Sequence, residues 1–482
     1  MPEYDVAIIG AGPGGYVAAI RAAQLGLSAV VIERDQVGGL CLNWGCIPSK
    51  ALLQGADLLN LFRRAPEFGI AYKELSADLG AAVDRSREIV ARFVAGVETL
   101  LEQNRVALLR GTGRLDAPGH VVVAPASPAG RPGGEQVDAR NVILASGGRA
   151  RSLPGLPIDG DRVITSREAL ELRRPPGSIA IVGGGAVGVE LAYLFRSYGS
   201  AVMVVELLPR LLPAEDEDVS RQLERSFAAQ GISVRTSARV EAVAVGKDEA
   251  TVSITSGDGE EELRAERVLV AVGIEANTDG LGLEEAGVAL DGHGFVKVDA
   301  YCATNLPGVW AIGDLTGKLP LAHVASHQGV TAVEKIAGRD PPPLDYERMP
   351  RAVYCQPQVA SLGLSEAQAK QRGFSVRSGR FPFRANGKAM AAGETEGFVK
   401  LVADADSGAI LGFHAIGHGA TELLGEVSLS VLLEATPAEL AAAVHAHPTL
   451  AEALKEAALA VRGEAIHYFT PKDRAGARLA KR

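Results

Sequence analysis

At 482 residues the chain exceeds what one hydrophobic core holds, and about three or four domains are expected. A net charge of −9 speaks against nucleic acid as a partner, and no apolar run long enough to span a membrane and no leader precede the first strand, so a cytoplasmic protein is expected. Four cysteines in such a length make no disulfide framework, and a close pair in a reducing compartment is more often catalytic than structural.

The chain opens on Tyr4–Ile9, an apolar run that reads as a strand, followed by Gly10-Ala11-Gly12-Pro13-Gly14-Gly15 and a helix over Tyr16–Leu25. In this strand, turn and helix, Gly10 permits the tight turn, Gly12 lets a pyrophosphate approach the backbone and Gly15 allows close packing, with the phosphate on the positive helix end. The turn motif alone is weak. It gains strength from the next strand, Ala29–Glu33, whose terminal carboxylate stands where ribose hydroxyls are bound.

Next comes Gly38–Lys50, GGLCLNWGCIPSK, in which Cys41 and Cys46 flank four residues and glycines let the backbone bend tightly. Such a pair can close a small disulfide ring, be a purely structural disulfide, or supply half a zinc site. Zinc would need further ligands at short spacing, and Cys302 and Cys355 lie far along the chain, so no metal is expected. Helices are expected over Ala51–Arg64 and Ala77–Gln103, strands at Val106–Leu109 and His120–Val123, and a Pro/Gly-rich tip over Pro125–Gly134. A strand over Asn141–Gly148 leads to a linker, Arg149–Gly160.

The first pattern then repeats. Ser178–Val182 reads as a strand, Gly183-Gly184-Gly185-Ala186-Val187-Gly188 is a second G-x-G-x-x-G, Val189–Tyr198 a helix, and Ala201–Glu206 a strand ending in a carboxylate. Two dinucleotides are therefore expected, one on Gly10, Gly12, Gly15 and Glu33, the other on Gly183, Gly185, Gly188 and Glu206. Glu190 stands in the first helical turn, where it favours the helix dipole. Val268–Gly273 closes this region, and strands at Phe398–Ala403 and Ile410–Ile416 precede a helix over Thr421–Leu433. Near the end stand His445-Ala446-His447-Pro448-Thr449 and Glu452, then a short basic tail from Lys472. A histidine whose proton affinity lies near neutrality suits thiol chemistry, and a carboxylate on its other ring nitrogen fixes the tautomer.

These motifs, in this order and over essentially the whole chain, resemble the flavin-dependent disulfide oxidoreductases, with Cys-Ile-Pro-Ser-Lys most similar to the dihydrolipoamide dehydrogenases. The resemblance implies an α/β fold: two Rossmann-like dinucleotide-binding domains plus a C-terminal α+β dimerisation domain. It implies an FAD-binding domain over 1–150, an NAD-binding domain over 151–273, a central region completing the FAD domain over 274–345, and a dimerisation domain with the tail over 346–482. Cys41 would exchange with the dithiol substrate and Cys46 would sit against the flavin, with Lys50 beside it and paired to Glu190. Gly113 would lie on the adenine side, Asp314 on the ribityl chain, Ala322 in the segment whose backbone meets the flavin ring, and Gly273 at the NAD site. His447 would be the acid–base group, oriented by Glu452 and serving the cysteines of the other subunit of a homodimer.

The activity implied is oxidation of dihydrolipoyl groups on a lipoylated carrier protein, with NAD reduced to NADH. Rivals are glutathione reductase, which runs on NADPH, mercuric reductase, whose additional C-terminal cysteine pair is missing here, and a non-catalytic flavoprotein subunit that docks a lipoyl carrier. The chain departs from the family pattern at Trp44, often a smaller residue, at Ile274-Glu275-Ala276, where a basic residue is usual, and at Ser326-His327-Gln328, usually acidic.

Overall fold

The computed structural model describes residues 3–125, 135–257 and 259–469; most of the expected loop tip at 125–134 and the basic tail from Lys472 lie outside them. The chain divides into two units, Met1–Gly55 with Ala71–Pro175 and Val270–Tyr346, and Ala56–Ile70 with Pro176–Leu269 and Glu347–Arg482.

In the first unit, β1 (Tyr4–Ile9) pairs in parallel with β2 (Ala29–Glu33), and Val6, Ala7, Ile8 and Ile9 are buried, as befits a strand covered on both faces. Between them α1 (Pro13–Gln24) begins three residues earlier than the apolar spacing suggests, because Pro13 carries the backbone angle of a first helical turn and needs no N–H there. After β2 come α2 (Gly39–Trp44) and α3 (Cys46–Arg63), separated by Gly45 alone. α3 also starts ahead of expectation, since Pro48 falls in its first turn, where proline is tolerated.

Beyond α4 (Leu79–Gln103), β3 (Ala107–Ala117) runs parallel to β2 through Arg110 and then antiparallel to β4 (His120–Pro125), which pairs with β5 (Glu135–Leu144). β5 returns beside β1 and takes the strand Val309–Ala311 on its other side, both in parallel. The carboxyl ends of β1, β5 and Val309–Ala311 thus open on one edge of a doubly wound sheet, where ligands bind in such folds.

Short β6 (Gly148–Ala150) pairs antiparallel with Ile274–Ala276, and here the Glu275 departure finds its reason. Arg149 bonds Glu275 at 2.7 Å, Asp279 at 2.7 Å and Asn277 at 3.2 Å. A carboxylate at 275 answers an arginine at 149. The linker continues through β7 (Val163–Ile164) to α5 (Ser166–Ala169), whose Thr165 and Glu168 form a reciprocal N-terminal cap.

In the second unit, β8 (Ser178–Val182), α6 (Ala186–Ser197) and β9 (Ala201–Val205) repeat the opening of the chain, with Ser233–Arg235 parallel to β9. Two features here had no sequence expectation. One is α7 (Glu217–Ala229), which buries Val219, Leu223 and Phe227 at four-residue spacing beneath a charged outer face. The other is an antiparallel sheet of Arg239–Val245, Ala250–Ser256 and Gly259–Ala265, whose last strand alternates little.

From Arg351 the chain builds an antiparallel sheet in the order Arg351–Val353, Gln358–Gly363, Ile410–Gly417, Phe398–Asp404, Val376–Pro382. Phe381, Phe383 and Phe413 fill its core with helices Leu424–Leu432 and Glu452–Val461. Lys400 is buried in this sheet, its ammonium shared by Asp216 at 3.0 Å, Asp218 at 2.8 Å and Glu366 at 3.0 Å. A buried cation is tolerable only when so surrounded, and the cluster ties the start of α7 to the sheet.

Candidate active site

Cys41 lies in α2 and Cys46 opens α3, and the two thiols hydrogen-bond each other. That shared bond and burial push the Cys41 thiol well above its ordinary pKa, while the Lys50 charge, one turn into α3, works in the opposite direction. A six-residue helix without a side-chain cap cannot hold itself. Asn43, buried and carrying no motif signal, staples it by donating to the carbonyls of Val37 and Gly39, each at 3.0 Å.

The first glycine turn is shaped by steric necessity at two positions and by something else at the third. A Cβ on Gly10, where φ is +112°, would stand 2.3 Å from the Ala145 carbonyl oxygen, and one on Gly15 would stand 1.9 Å from that of Gly10. Gly12 is different: a Cβ there meets nothing within 4 Å. Gly12 also precedes α1 with no side chain capping the helix, so that its first N–H groups face the same open space. Glu33 is buried at the end of β2 and accepts the Ala11 N–H at 2.7 Å and the Asp35 N–H at 2.8 Å.

Asp314 follows the strand Val309–Ala311, and burial, the sole cause acting on it, raises its carboxyl pKa. Its loop is held by Gln328, which accepts the Gly313 N–H at 2.6 Å and donates to Tyr346 at 2.9 Å. Ser326, on the helix that Ala322 opens, donates to the Pro13 carbonyl at 3.3 Å. The Ser326-His327-Gln328 departure thus contributes one contact to the first turn, through Ser326, and two that hold the Asp314 loop, through Gln328. An uncapped helix end facing open space and a carboxyl raised by burial, with no cation acting on it among the described residues, fit a ligand that carries phosphates and hydroxyls. Gly113, by contrast, is packed inside β3, where a Cβ would press on Ile9 and Ile32 at 3.2 Å.

The second unit repeats this device. A Cβ on Gly188 would lie 1.9 Å from the Gly183 oxygen, one on Gly185 meets nothing within 4 Å, and α6 starts without a side-chain cap. Glu206 accepts the Gly184 N–H at 2.6 Å and the Leu208 N–H at 2.8 Å. Glu190 is buried within α6 and accepts the Tyr354 N–H at 2.9 Å; Gly273, which belongs to the first unit, adopts φ +105° with no neighbour within 4 Å of its Cβ position.

Also in the second unit, His447 and Glu452 meet as expected, with Nδ1 2.9 Å from Oε1. The histidine side chain is 76% exposed, leaving Nε2 outward. Partial burial works against the Glu452 carboxylate, but the Thr449 N–H at 2.9 Å and the His447 ring outweigh it and hold its pKa below the usual carboxylate range. His445 has a partner of its own, Glu426 at 2.8 Å.

A doubly wound sheet carrying a dinucleotide cradle, a paired thiol at its edge and a second cradle of the same build define a nucleotide-dependent disulfide oxidoreductase. Residues 4–329 match the pyridine nucleotide-disulphide oxidoreductase model and residues 349–458 the dimerisation domain of the same group, and the chain belongs to this family. It is an oxidoreductase with FAD and NAD as cofactors. It is 46% identical to a dihydrolipoyl dehydrogenase of Mycobacterium tuberculosis over 97% of this chain and 100% of that one. It is 44% identical to the Bacillus subtilis protein of the same name, over 97% and 99%. Among solved structures, LpdA from M. tuberculosis superposes with a TM-score of 0.87 at 29% identity, covering 94% of this chain and 98% of that one. Among the described residues no helix is long and apolar enough to cross a membrane.

Proposed function

We infer that the chain oxidises dihydrolipoyl groups on a carrier protein to lipoyl groups, reducing NAD to NADH, as the names of its relatives indicate. The observation that carries this is the contact of the Cys41 and Cys46 thiols in the unit that holds the first dinucleotide cradle. A substrate thiolate attacks Cys41 in its disulfide with Cys46, forming a mixed disulfide and releasing the Cys46 thiolate. The second substrate thiol then closes the lipoyl ring and frees Cys41, so two electrons and two protons leave the substrate. His447 accepts a proton at Nε2 while Glu452 holds Nδ1 and supports the imidazolium.

Gly10, Gly12, Gly15, Glu33 and Asp314 would hold FAD, with Lys50, Gly113 and the segment from Ala322 near it, and FAD supplies the two-electron relay between dithiol and nicotinamide. Gly183, Gly185, Gly188 and Glu206, flanked by Glu190 and Gly273, take the NAD. The domains divide at 150, 273 and 345, the protein works in the cytoplasm, and in the homodimer the His447 of one copy serves the cysteine pair of the other.

Steady-state turnover with dihydrolipoamide and NAD, set against glutathione disulfide and NADPH, tests the reading: a higher specificity constant for the second pair would replace it with a glutathione reductase. His447→Ala lowers lipoamide turnover by ~10²–10⁴ and Glu452→Gln by less, since it only orients. Pairing a Cys41→Ser copy with a His447→Ala copy restores activity if the site is shared. Heterodimers as inactive as both parents would contradict the sharing.

A further inference from the structure

Trp44 is the last residue of α2, and above its ring, 3.8 Å from the centroid, lies the Arg167 guanidinium of α5. That is close contact for a cation over an indole face, the aromatic surface that attracts cations best. A second arginine acts on the same end of α2: Arg87, on α4, donates to the Asn43 carbonyl at 2.7 Å. The segment that delivers Arg167 is itself anchored. The Thr165 and Glu168 cap fixes the start of α5, and Arg173 makes a two-pronged ion pair with Asp84 on α4, both bonds 2.7 Å.

Between Trp44 and Cys46 stands Gly45 alone, with φ −137° and ψ −114°, a joint at which a Cβ would come 2.9 Å from the Leu40 oxygen. The two sulfurs are therefore carried by separate helices hinged on one glycine. Whatever fixes the end of α2 also fixes how far they separate once the disulfide opens. We propose that Arg167, stacked on Trp44, is a positioning residue for the redox pair, which with Arg87 clamps the hinge so that the reduced thiols stay within bonding reach and the disulfide is favoured. This rests on the redox reading of Cys41 and Cys46 and deepens it by assigning a function to the Trp44 departure.

Without the clamp the dithiol gains conformations that the disulfide does not, so the equilibrium protein disulfide plus reduced dithiothreitol to protein dithiol plus oxidised dithiothreitol moves toward the protein dithiol. Loss of a cation–π contact of ordinary strength shifts that constant about three- to tenfold. For a two-electron couple this raises the potential by ~15–30 mV.

The test is redox titration of the FAD-containing protein in dithiothreitol buffers, read by alkylation of the peptide carrying Cys41 and Cys46. Arg167→Gln and Trp44→Val are expected to shift the constant alike, the double variant no further than either, and Arg167→Lys and Trp44→Phe, which keep a cation and a ring, to stay near the parent. Arg167 is exposed, so its replacement leaves the fold intact. A parent couple present but unmoved by Arg167→Gln, or additive shifts in the double variant, overturns the clamp. A parent with no reversible couple at these cysteines overturns the redox reading beneath it.

Discussion

The two glycine turns have the same chemistry and different surroundings. Each has a third glycine pressed 1.9 Å from the oxygen of the first, a second glycine facing open space, and a strand-end glutamate clasping two backbone N–H groups. Around the first turn, however, Gly14 is buried, Ser326 reaches Pro13, and a Cβ on Gly329 would come 2.7 Å from the Gly14 oxygen. Around the second, Ala186 and Val187 are exposed, Val187 by 46%. One cradle is built over by the rest of its unit and the other is left accessible. That difference suits a cofactor that stays and one that comes and goes, and it shows how one supersecondary unit is specialised by what covers it.

The largest effect is expected at the third glycines. Gly15→Ala drives a methyl into a backbone carbonyl and costs more than the ~1–3 kcal/mol of an ordinary overpacked core. Bound flavin is then lost, whereas Gly188→Ala, the same clash in the second unit, is expected to abolish NAD binding while bound flavin remains measurable by absorbance. If both variants lost flavin equally, the two cradles would not be separable.

Next in size is Glu206→Ala, which removes the acceptor proposed for the ribose and frees the Gly184 and Leu208 backbone donors. The specificity constant for NAD should fall roughly 10–100-fold and the preference over NADP shrink, from the ~1.5–3 kcal/mol of charge-assisted hydrogen bonds. An unchanged preference would move NAD recognition elsewhere. Smaller again is Gly12→Ala beside Gly185→Ala: neither methyl meets protein, so thermal stability is retained while affinity drops for FAD in one and NAD in the other.

The smallest effect is at Asp314. Its folded pKa lies above the ordinary 3.8, so the unfolded carboxyl ionises first, and stability is lost as pH rises from the ordinary value through the raised one. Asp314→Asn should therefore raise the melting temperature of flavin-free protein at pH 7 by about 1–3 °C, with the gain vanishing below about pH 4. The same substitution weakens flavin retention. Lower apo stability at pH 7 would mean the carboxyl has a protein partner.

What could be read from the sequence is what the chain builds locally. The glycine turns, the strand-end carboxylates and the cysteine segment lie within short stretches whose spacing dictates their geometry, while His447 with Glu452 was legible through the family resemblance of its His-Pro-Thr. Contacts between distant segments left no such trace: Arg149 with Glu275, Lys400 with Asp216, and Arg167 over Trp44 join residues with no periodic relation. α7 was hidden for another reason, since its apolar stripe of Val219, Leu223 and Phe227 is set in a strongly charged composition. Helix starts were misjudged at Pro13 and Cys46 because prolines in first turns look like breakers when only periodicity is followed.

Cys41 and Cys46 are proposed as the relay between substrate and nicotinamide. Oxidised, FAD-containing protein is mixed with one equivalent of NADH under anaerobic conditions, quenched with an alkylating reagent and mapped by mass. Two new alkylated thiols per chain are expected, on Cys41 and Cys46, and no lipoamide turnover in Cys41→Ser. NADH consumed with neither cysteine newly alkylated, or a Cys41→Ser enzyme that still turns over lipoamide, would contradict the relay.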